Sequence, residues 1–288
     1  MITLENDYIK VSLAAKGAEL QGLFSKETKL EYLWNANPKY WAKHSPVLFP
    51  IVGSLKNNSF IYQGKHYESP RHGFARDNVF NFEKISESEG IFTLTQNADT
   101  LRTYPFYFEL KLKYQLIDRK LKLTYEVKNT GTSELLFSIG AHPAFAVPNT
   151  PDTVYEDYYL SFNADEQLTY WKLEDGLVAN ETKNIALNAH KLKLTHELFY
   201  NDALVFKNLQ SNSISLLNTK NDNGLHFNFE EFPFFGIWAA PDAPFVCLEP
   251  WCGVADGVNH NQELSGKEGI IKLGAGETWS RFWEVACF

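Results

Sequence analysis

Apolar and polar residues alternate along most of the chain. From Phe106 to Ile117, the residues Phe106, Phe108, Leu110, Leu112, Tyr114 and Leu116 fall on one face, while Glu109, Lys111, Lys113 and Gln115 fall on the other. Asp118-Arg119-Lys120 interrupts the pattern as a turn. Leu121, Leu123, Tyr125 and Val127 then resume it against Lys122, Thr124, Glu126 and Lys128. A period of two with one polar face predicts a long antiparallel hairpin that buries one side and wets the other. Asn129-Thr130-Gly131-Thr132 reads as the next turn and Leu135–Ile139 as a further strand.

Shorter runs read the same way: Tyr8–Ala14, Glu19–Ser25, Phe60–Tyr67, Val79–Ile85, Ile91–Gln96, Ser213–Leu217 and Leu225–Phe229. Turn formers punctuate them at Lys56–Ser59, Ser86–Gly90, Glu174–Gly176 and Asn221–Gly224. Helical periodicity is scarce. Leu187–Tyr200 holds the best stretch, with Thr195 as an N-cap before a single turn, and Asp99–Tyr104 is a second short turn ended by Pro105. At ~150 residues per domain, 288 residues would make about two domains. Strands run from end to end, however, with no linker, charge block or fixed-period repeat. The pattern therefore predicts an all-β chain in which residues 1–288 form one domain, a large antiparallel sandwich.

Composition adds exclusions. Hydrophobic residues at 44% and charged residues at 22% exclude a disordered chain. A net charge of −8 lacks the footprint of a nucleic-acid binder, which must neutralise phosphates. Three cysteines, Cys247, Cys252 and Cys287, are too few for a disulfide scaffold, and they point to a reducing, cytoplasmic setting. Met1–Lys10 carries Glu5 and Asp7 and no apolar core, so no secretory signal is expected. No apolar run approaches the ~18 residues of a membrane span. The 22 Phe, 14 Tyr and 7 Trp suit strands, sheet-on-sheet cores and sugar-stacking clefts alike.

Stock motifs contribute little. Gly274-Ala275-Gly276 lacks the third glycine of a dinucleotide fingerprint. His196-Glu197-Leu198-Phe199-Tyr200 has Tyr where a zinc-protease helix needs its second His. Cys247 and Cys252 have no second pair and read as small core residues. Asn180-Glu181-Thr182 matches a glycosylation sequon, which is idle in the cytoplasm. Neither a metal nor any other cofactor is expected.

Three segments place titratable residues in apolar or Gly/Pro settings. In Ser69–Asp77, His72 lies between Arg71 and Arg76 in a loop set by Pro70 and Gly73. It reads either as an imidazole beside an anion- or hydroxyl-binding site or as a loop histidine on a basic patch. In Ile139–Phe145, small residues precede His142-Pro143, leaving room for a ligand to approach the ring; the alternative is a satisfied strand-end histidine. In Phe245–Gly253, a buried-strand pattern delivers Glu249 beside Trp251. Desolvation there raises a carboxyl pKa and suits it to act as a base near neutral pH; the alternative is a structural carboxylate accepting backbone N–H groups. In a fourth segment, Tyr200–Phe206, Asp202 taken alone reads as a turn or cap.

Taken together, the segments resemble the aldose 1-epimerase (galactose mutarotase) family, in particular its bacterial LacX-like branch. The resemblance spans nearly the whole chain and rests on four motifs in order: His-Gly-Phe-Ala-Arg (His72–Arg76), Gly-Ala-His-Pro-Ala-Phe (Gly140–Phe145), Asn-Asp-Ala-Leu-Val-Phe (Asn201–Phe206) and Leu-Glu-Pro-Trp (Leu248–Trp251). It implies a β-supersandwich of large twisted antiparallel sheets with few short helices. It also implies roles: Glu249 as the base for the anomeric hydroxyl, His142 as the acid for the ring oxygen, His72 hydrogen-bonding near that oxygen, and Asp202 holding sugar hydroxyls. The chemistry is consistent with this set, because anomer exchange needs one proton off O1 and one onto the ring oxygen, and no cofactor.

One stretch departs from the family. Its Gly-Arg-Tyr-Ala-Asn-Arg-like loop corresponds here to Gly53-Ser54-Leu55-Lys56-Asn57-Asn58, so Lys56 replaces a planar guanidinium fork with a point charge. Arg76 or Arg71 is left to supply the guanidinium, and Lys56, Arg71 and Arg76 are expected to form a local cationic cluster. Arginines in a similar context contact phosphate in the hexose-6-phosphate mutarotase branch. The expected partner is thus a small sugar or sugar phosphate, with Trp251 facing it, and neither nucleic acid nor membrane. A phosphosugar mutarotase and a sugar-binding module without turnover are the alternatives. A two-carboxylate glycosidase ranks below them, since only Glu249 is an evident strand-end carboxylate.

Overall fold

The computed structural model describes residues 1–288. The long hairpin forms as the alternation predicts. Phe108–Ile117 pairs with Lys120–Asn129 throughout, and the connection tightens to Asp118-Arg119, with Asp118 at φ +51°. Phe108, Leu110, Leu112, Tyr114 and Leu116 are buried, as are Leu121, Leu123, Tyr125 and Val127.

This hairpin lies within a nine-stranded antiparallel sheet. Its order is Lys191–Lys193, Tyr158–Phe162, Ser213–Asn218, Leu225–Asn228, Thr278–Cys287, Lys120–Asn129, Phe108–Ile117, Glu89–Thr95 and Asn81–Lys84. A second, seven-stranded sheet runs Ile139–Gly140, Phe245–Cys252, Phe234–Trp238, Leu204–Phe206, Gln167–Glu174 and Leu177–Ala186, with Ala144–Ala146 also paired to Phe245–Cys252. Ile2–Glu5, Ile9–Leu13 and Leu20–Ser25 form a small third sheet. All three contribute to one core of 69 buried residues that reaches from Leu4 to Cys287. The sandwich is thus held by apolar burial, which the long antiparallel ladders organise.

Helices are short. Ala98–Thr103 starts at a capping box, in which Asn97 accepts from the Thr100 amide and the Thr100 hydroxyl accepts from the Asn97 amide. His196–Phe199 is the single turn expected after Thr195, although the Thr195 side chain makes no capping bond. No helix is long and apolar enough to cross a membrane. Cys247, Cys252 and Cys287 are buried free thiols.

Three readings change. Leu135–Ile139 is not one strand: Leu135–Phe137 pairs with Ile271–Leu273, while Ile139–Gly140 belongs to the seven-stranded sheet. Phe60–Tyr67 is not one strand but a hairpin, Ser59–Tyr62 with Lys65–Glu68, turned at Gln63-Gly64, both at positive φ. The hairpin Gln167–Glu174 with Leu177–Ala186 and the strand Thr278–Cys287 form without having been read as strands.

Candidate active site

The strand Phe245–Cys252 is buried along its whole length. Alternation puts Cys247, Glu249 and Trp251 on one face of it. Two glycines on neighbouring strands make room on that face. Gly236 lies directly opposite Glu249, and Gly140 lies opposite Trp251. A Cβ on Gly236 would stand 2.4 Å from the Trp251 ring, and one on Gly140 would stand 2.5 Å from its Cδ1. The indole therefore lies across bare backbone on both sides. Its Nε1–H donates to the Ala141 carbonyl at 3.2 Å, which fixes the ring in the plane of the floor.

Above this floor is a cleft of about 730 Å³. His72, His142, Glu249, Asp202, Arg71, Arg76 and Trp251 all line it, so it gathers residues spread over most of the chain. Its central relationship is between His142 and Glu249. His142 Nε2 stands 3.3 Å from Glu249 Oε2, with the histidine 8% and the glutamate 2% exposed. The contact lacks the alignment of a hydrogen bond, and Glu249 Oε2 and His142 Nδ1 have no other partner.

Burial dominates the electrostatics. It lowers His142 to about 3, and Arg71 and Arg76 act in the same direction. It also holds Glu249 well above the usual carboxylate range, against the opposing pull of the Arg71 cation. Both directions favour the uncharged side chains. His72 is likewise held far below the ordinary imidazole range by burial, with His142 adding to the effect.

His72 is oriented by backbone. It sits at φ +68°, its amide donates to the Gly53 carbonyl at 2.9 Å, and the Gly53 amide donates to its Nδ1 at 3.1 Å. A neutral ring accepting at Nδ1 carries its proton on Nε2. Its centroid is 5.7 Å from that of His142, edge to face.

Asp202 follows the short turn His196–Phe199 and holds φ +87°, a strained value that Asp tolerates better than most residues. Its Oδ1 accepts from the Ala203 amide at 2.7 Å. Arg76 Nη2 donates to the Arg71 carbonyl at 2.7 Å, and Arg76 Nε lies 3.8 Å from Asp77, so this guanidinium is engaged within its own loop. The exposed Arg71 side chain makes no ion pair. The expectation that Lys56 joins the two arginines is not met. Lys56 opens a short 3-10 turn, its Nζ donates to the Val258 carbonyl at 2.9 Å, and it does not line the cleft.

The sequence reading missed two tryptophans. Trp41 stacks on His142 with centroids 4.8 Å and planes 26° apart, and Trp238 meets the same ring edge-on at 5.6 Å. Trp41 lies in an irregular loop and Trp238 ends a strand, and neither carries a motif. The abundance of aromatics was the only signal for them. His142, Cys247 and Glu249 also place ligand-type atoms within 4.8 Å of one another. Burial, with Glu249 adding to it, pushes the Cys247 thiol well up, so it stands there as a neutral thiol, packed behind the carboxyl.

Residues 1–284 match the aldose 1-epimerase family model, and the chain belongs to that family of carbohydrate isomerases. Protein LacX, in its plasmid form, from Lactococcus lactis subsp. lactis is 34% identical over 296 residues, covering 99% of this chain and 98% of LacX. A galactose mutarotase related enzyme from Lactobacillus acidophilus superposes with a TM-score of 0.95 at 34% identity, covering 100% of this chain and 97% of that one. A galactose mutarotase-like protein from Lactobacillus casei gives 0.93 at 31% identity, with both chains covered fully.

Proposed function

We propose that this cleft interconverts the α and β anomers of a hexose, with Glu249 and His142 as the proton-transfer pair. The observation that carries the reading is the 3.3 Å approach of His142 Nε2 to Glu249 Oε2 at the buried end of the cleft. In ring opening, Glu249 takes the proton of the anomeric hydroxyl, the C1–O1 bond becomes a carbonyl, the C1–O5 bond breaks, and His142 delivers a proton to O5. Rotation about C1–C2 presents the other carbonyl face. Closure reverses each transfer, so the pair ends as it began. No proton is gained or lost overall, and the residues alternate as acid and base.

The shifts fit this cycle. Glu249 with its proton and His142 without one is the form that closes an open chain. Moving that one proton to His142 gives the form that opens a ring. Substrate hydroxyls, with Arg71 beside them, restore polar partners that burial removes, and so support the charged form. His72, with its proton on Nε2, donates toward O5. Asp202 accepts from sugar hydroxyls, and Trp251 provides the flat floor. The whole chain works as one domain, which its shared core supports. Three free thiols support a cytoplasmic setting.

Polarimetry tests the reading. Fresh α-glucose or α-galactose mixed with the protein should approach rotational equilibrium faster than in buffer. No acceleration with any common hexose or hexose phosphate would remove the assignment.

A second reading, a phosphorylated hexose as substrate, is favoured by the exposed Arg71, a cleft-lining cation without an ion pair. Inorganic phosphate should then compete, and hexose 6-phosphate should be turned over in preference to the free sugar. Absence of both effects would leave the neutral hexose.

A further inference from the structure

Behind the cleft wall lies an ion pair that touches no part of the cavity. Asp256 and Lys267 have fully buried side chains, with Lys267 Nζ 2.8 Å from Asp256 Oδ1. Asp256 directly follows Ala255, which lines the cleft. Its other oxygen, Oδ2, accepts from the Lys56 amide at 3.0 Å. Its own amide donates to the Ser54 carbonyl at 2.9 Å, and its carbonyl accepts from the Val178 amide at 2.8 Å. One residue thus grips both ends of the segment Ser54–Lys56 and ties it to the strand Leu177–Ala186.

Gly53 immediately precedes that segment, and its amide is the donor that holds His72 Nδ1. It also has no freedom to slide. It sits at φ +74°, and a Cβ there would stand 2.5 Å from the Ala255 Cβ and 2.7 Å from its amide nitrogen. The chain of contacts therefore runs Lys267, Asp256, the loop 53–56, Gly53, His72. A buried ion pair is weak evidence of a stabilising role, since apolar pairs of similar volume often serve as well. A carboxylate that accepts from a loop amide does what an apolar group cannot.

We infer that Asp256, held by Lys267, is a positioning residue for His72: it fixes the loop 53–56 so that the Gly53 amide keeps the His72 proton on Nε2, facing the cleft. The kinetic part of this inference rests on the aldose 1-epimerase reading; the tautomer part does not.

The test compares two paired substitutions that leave no unpaired buried charge. Asp256→Asn with Lys267→Met keeps an oxygen acceptor for the Lys56 amide, and both the His72 ring-nitrogen NMR signals and kcat should stay near wild type. Asp256→Leu with Lys267→Met removes the acceptor. It should mix the two His72 tautomers and lower kcat by about tenfold to a hundredfold, with KM little moved. In a His72→Ala background the Leu/Met pair should cost nothing further. Should the Leu/Met protein fail to fold, Lys56→Pro deletes the amide donor at the first position of a 3-10 turn where the ring fits, with Lys56→Met as the control for the lost ammonium bond to Val258, and the same readouts apply. The inference is overturned by unchanged His72 signals and kcat in the acceptor-free variant. It is equally overturned by an undiminished loss in the His72→Ala background, or by a wild-type proton on Nδ1. If the wild type shows no mutarotation, the proposed function falls, while the nitrogen signals still decide the positioning role.

Discussion

Trp41 lies nearly flat on His142, and with Trp238 at the ring edge it keeps water from an imidazole that would otherwise titrate near 6.5. The stack is an electrostatic device made from apolar surface, because excluding water is what lowers this group to about 3. Trp41→Ala should therefore raise the His142 pKa from about 3 toward 6.5, read by NMR titration of its ring proton. The substitution also removes packing and should cost about 1.5–3 kcal/mol of stability in urea denaturation. A His142 titration that does not move would show that Trp41 packs without controlling solvation.

Glu249 links catalysis to pH-dependent stability. Its folded pKa lies above the unfolded 4.5, so the folded state keeps a proton that the unfolded chain has already released. The stabilisation is full below 4.5 and is lost as pH rises toward the folded value. Glu249→Gln cannot ionise and should melt higher than wild type at alkaline pH, with the difference closing as pH falls to 4.5. Rotation assays should show turnover down by about 10²- to 10⁴-fold. His142 acts oppositely, since its folded value of about 3 lies below the unfolded 6.5 and its contribution is lost as pH falls through that window. Between 4.5 and 6.5 the two slopes oppose each other, so His142→Gln, which removes the rising one, should make the melting temperature rise less, or fall more, with pH than it does in wild type.

Lys56 offers a control. Its ammonium is satisfied by the Val258 carbonyl outside the cleft, so Lys56→Met should leave KM for any accepted sugar unchanged and stability within about 0.5 kcal/mol. Arg71→Gln should raise KM for a hexose phosphate, if one is accepted, by more than it changes the turnover of free hexose. A rise in KM for free hexose on losing Lys56 would return that residue to the site.

Legibility in the sequence followed exposure. Phe108–Asn129 could be read because one face is buried and the other wet, so polarity reports geometry directly. Leu177–Ala186 is exposed on both faces along Asn180–Asn184 and shows no alternation, although its Glu174–Gly176 turn was evident. In Phe60–Tyr67 the apolar run masked the Gln63-Gly64 turn, where both residues adopt positive φ. In the site, His72, His142 and Glu249 stand out by interrupting apolar or Gly/Pro context, whereas Asp202 alone reads as a turn residue and only the family resemblance singles it out. Trp41 and Trp238 do not stand out, because an aromatic over a histidine has the same sequence signature as an aromatic in a core. Lys56 was misplaced because position in a motif does not report which carbonyl a flexible amine will find.

The glycine floor beneath Trp251 has a consequence for altering this protein. Gly140, Gly236 and the indole occupy one shared volume, so none can be enlarged while the others stay. A side chain added at 140 or 236 alone meets the indole ring at once. A redesigned specificity reaching the base of the cavity must change all three together, with a smaller residue at 251 admitting methyl groups at 140 and 236.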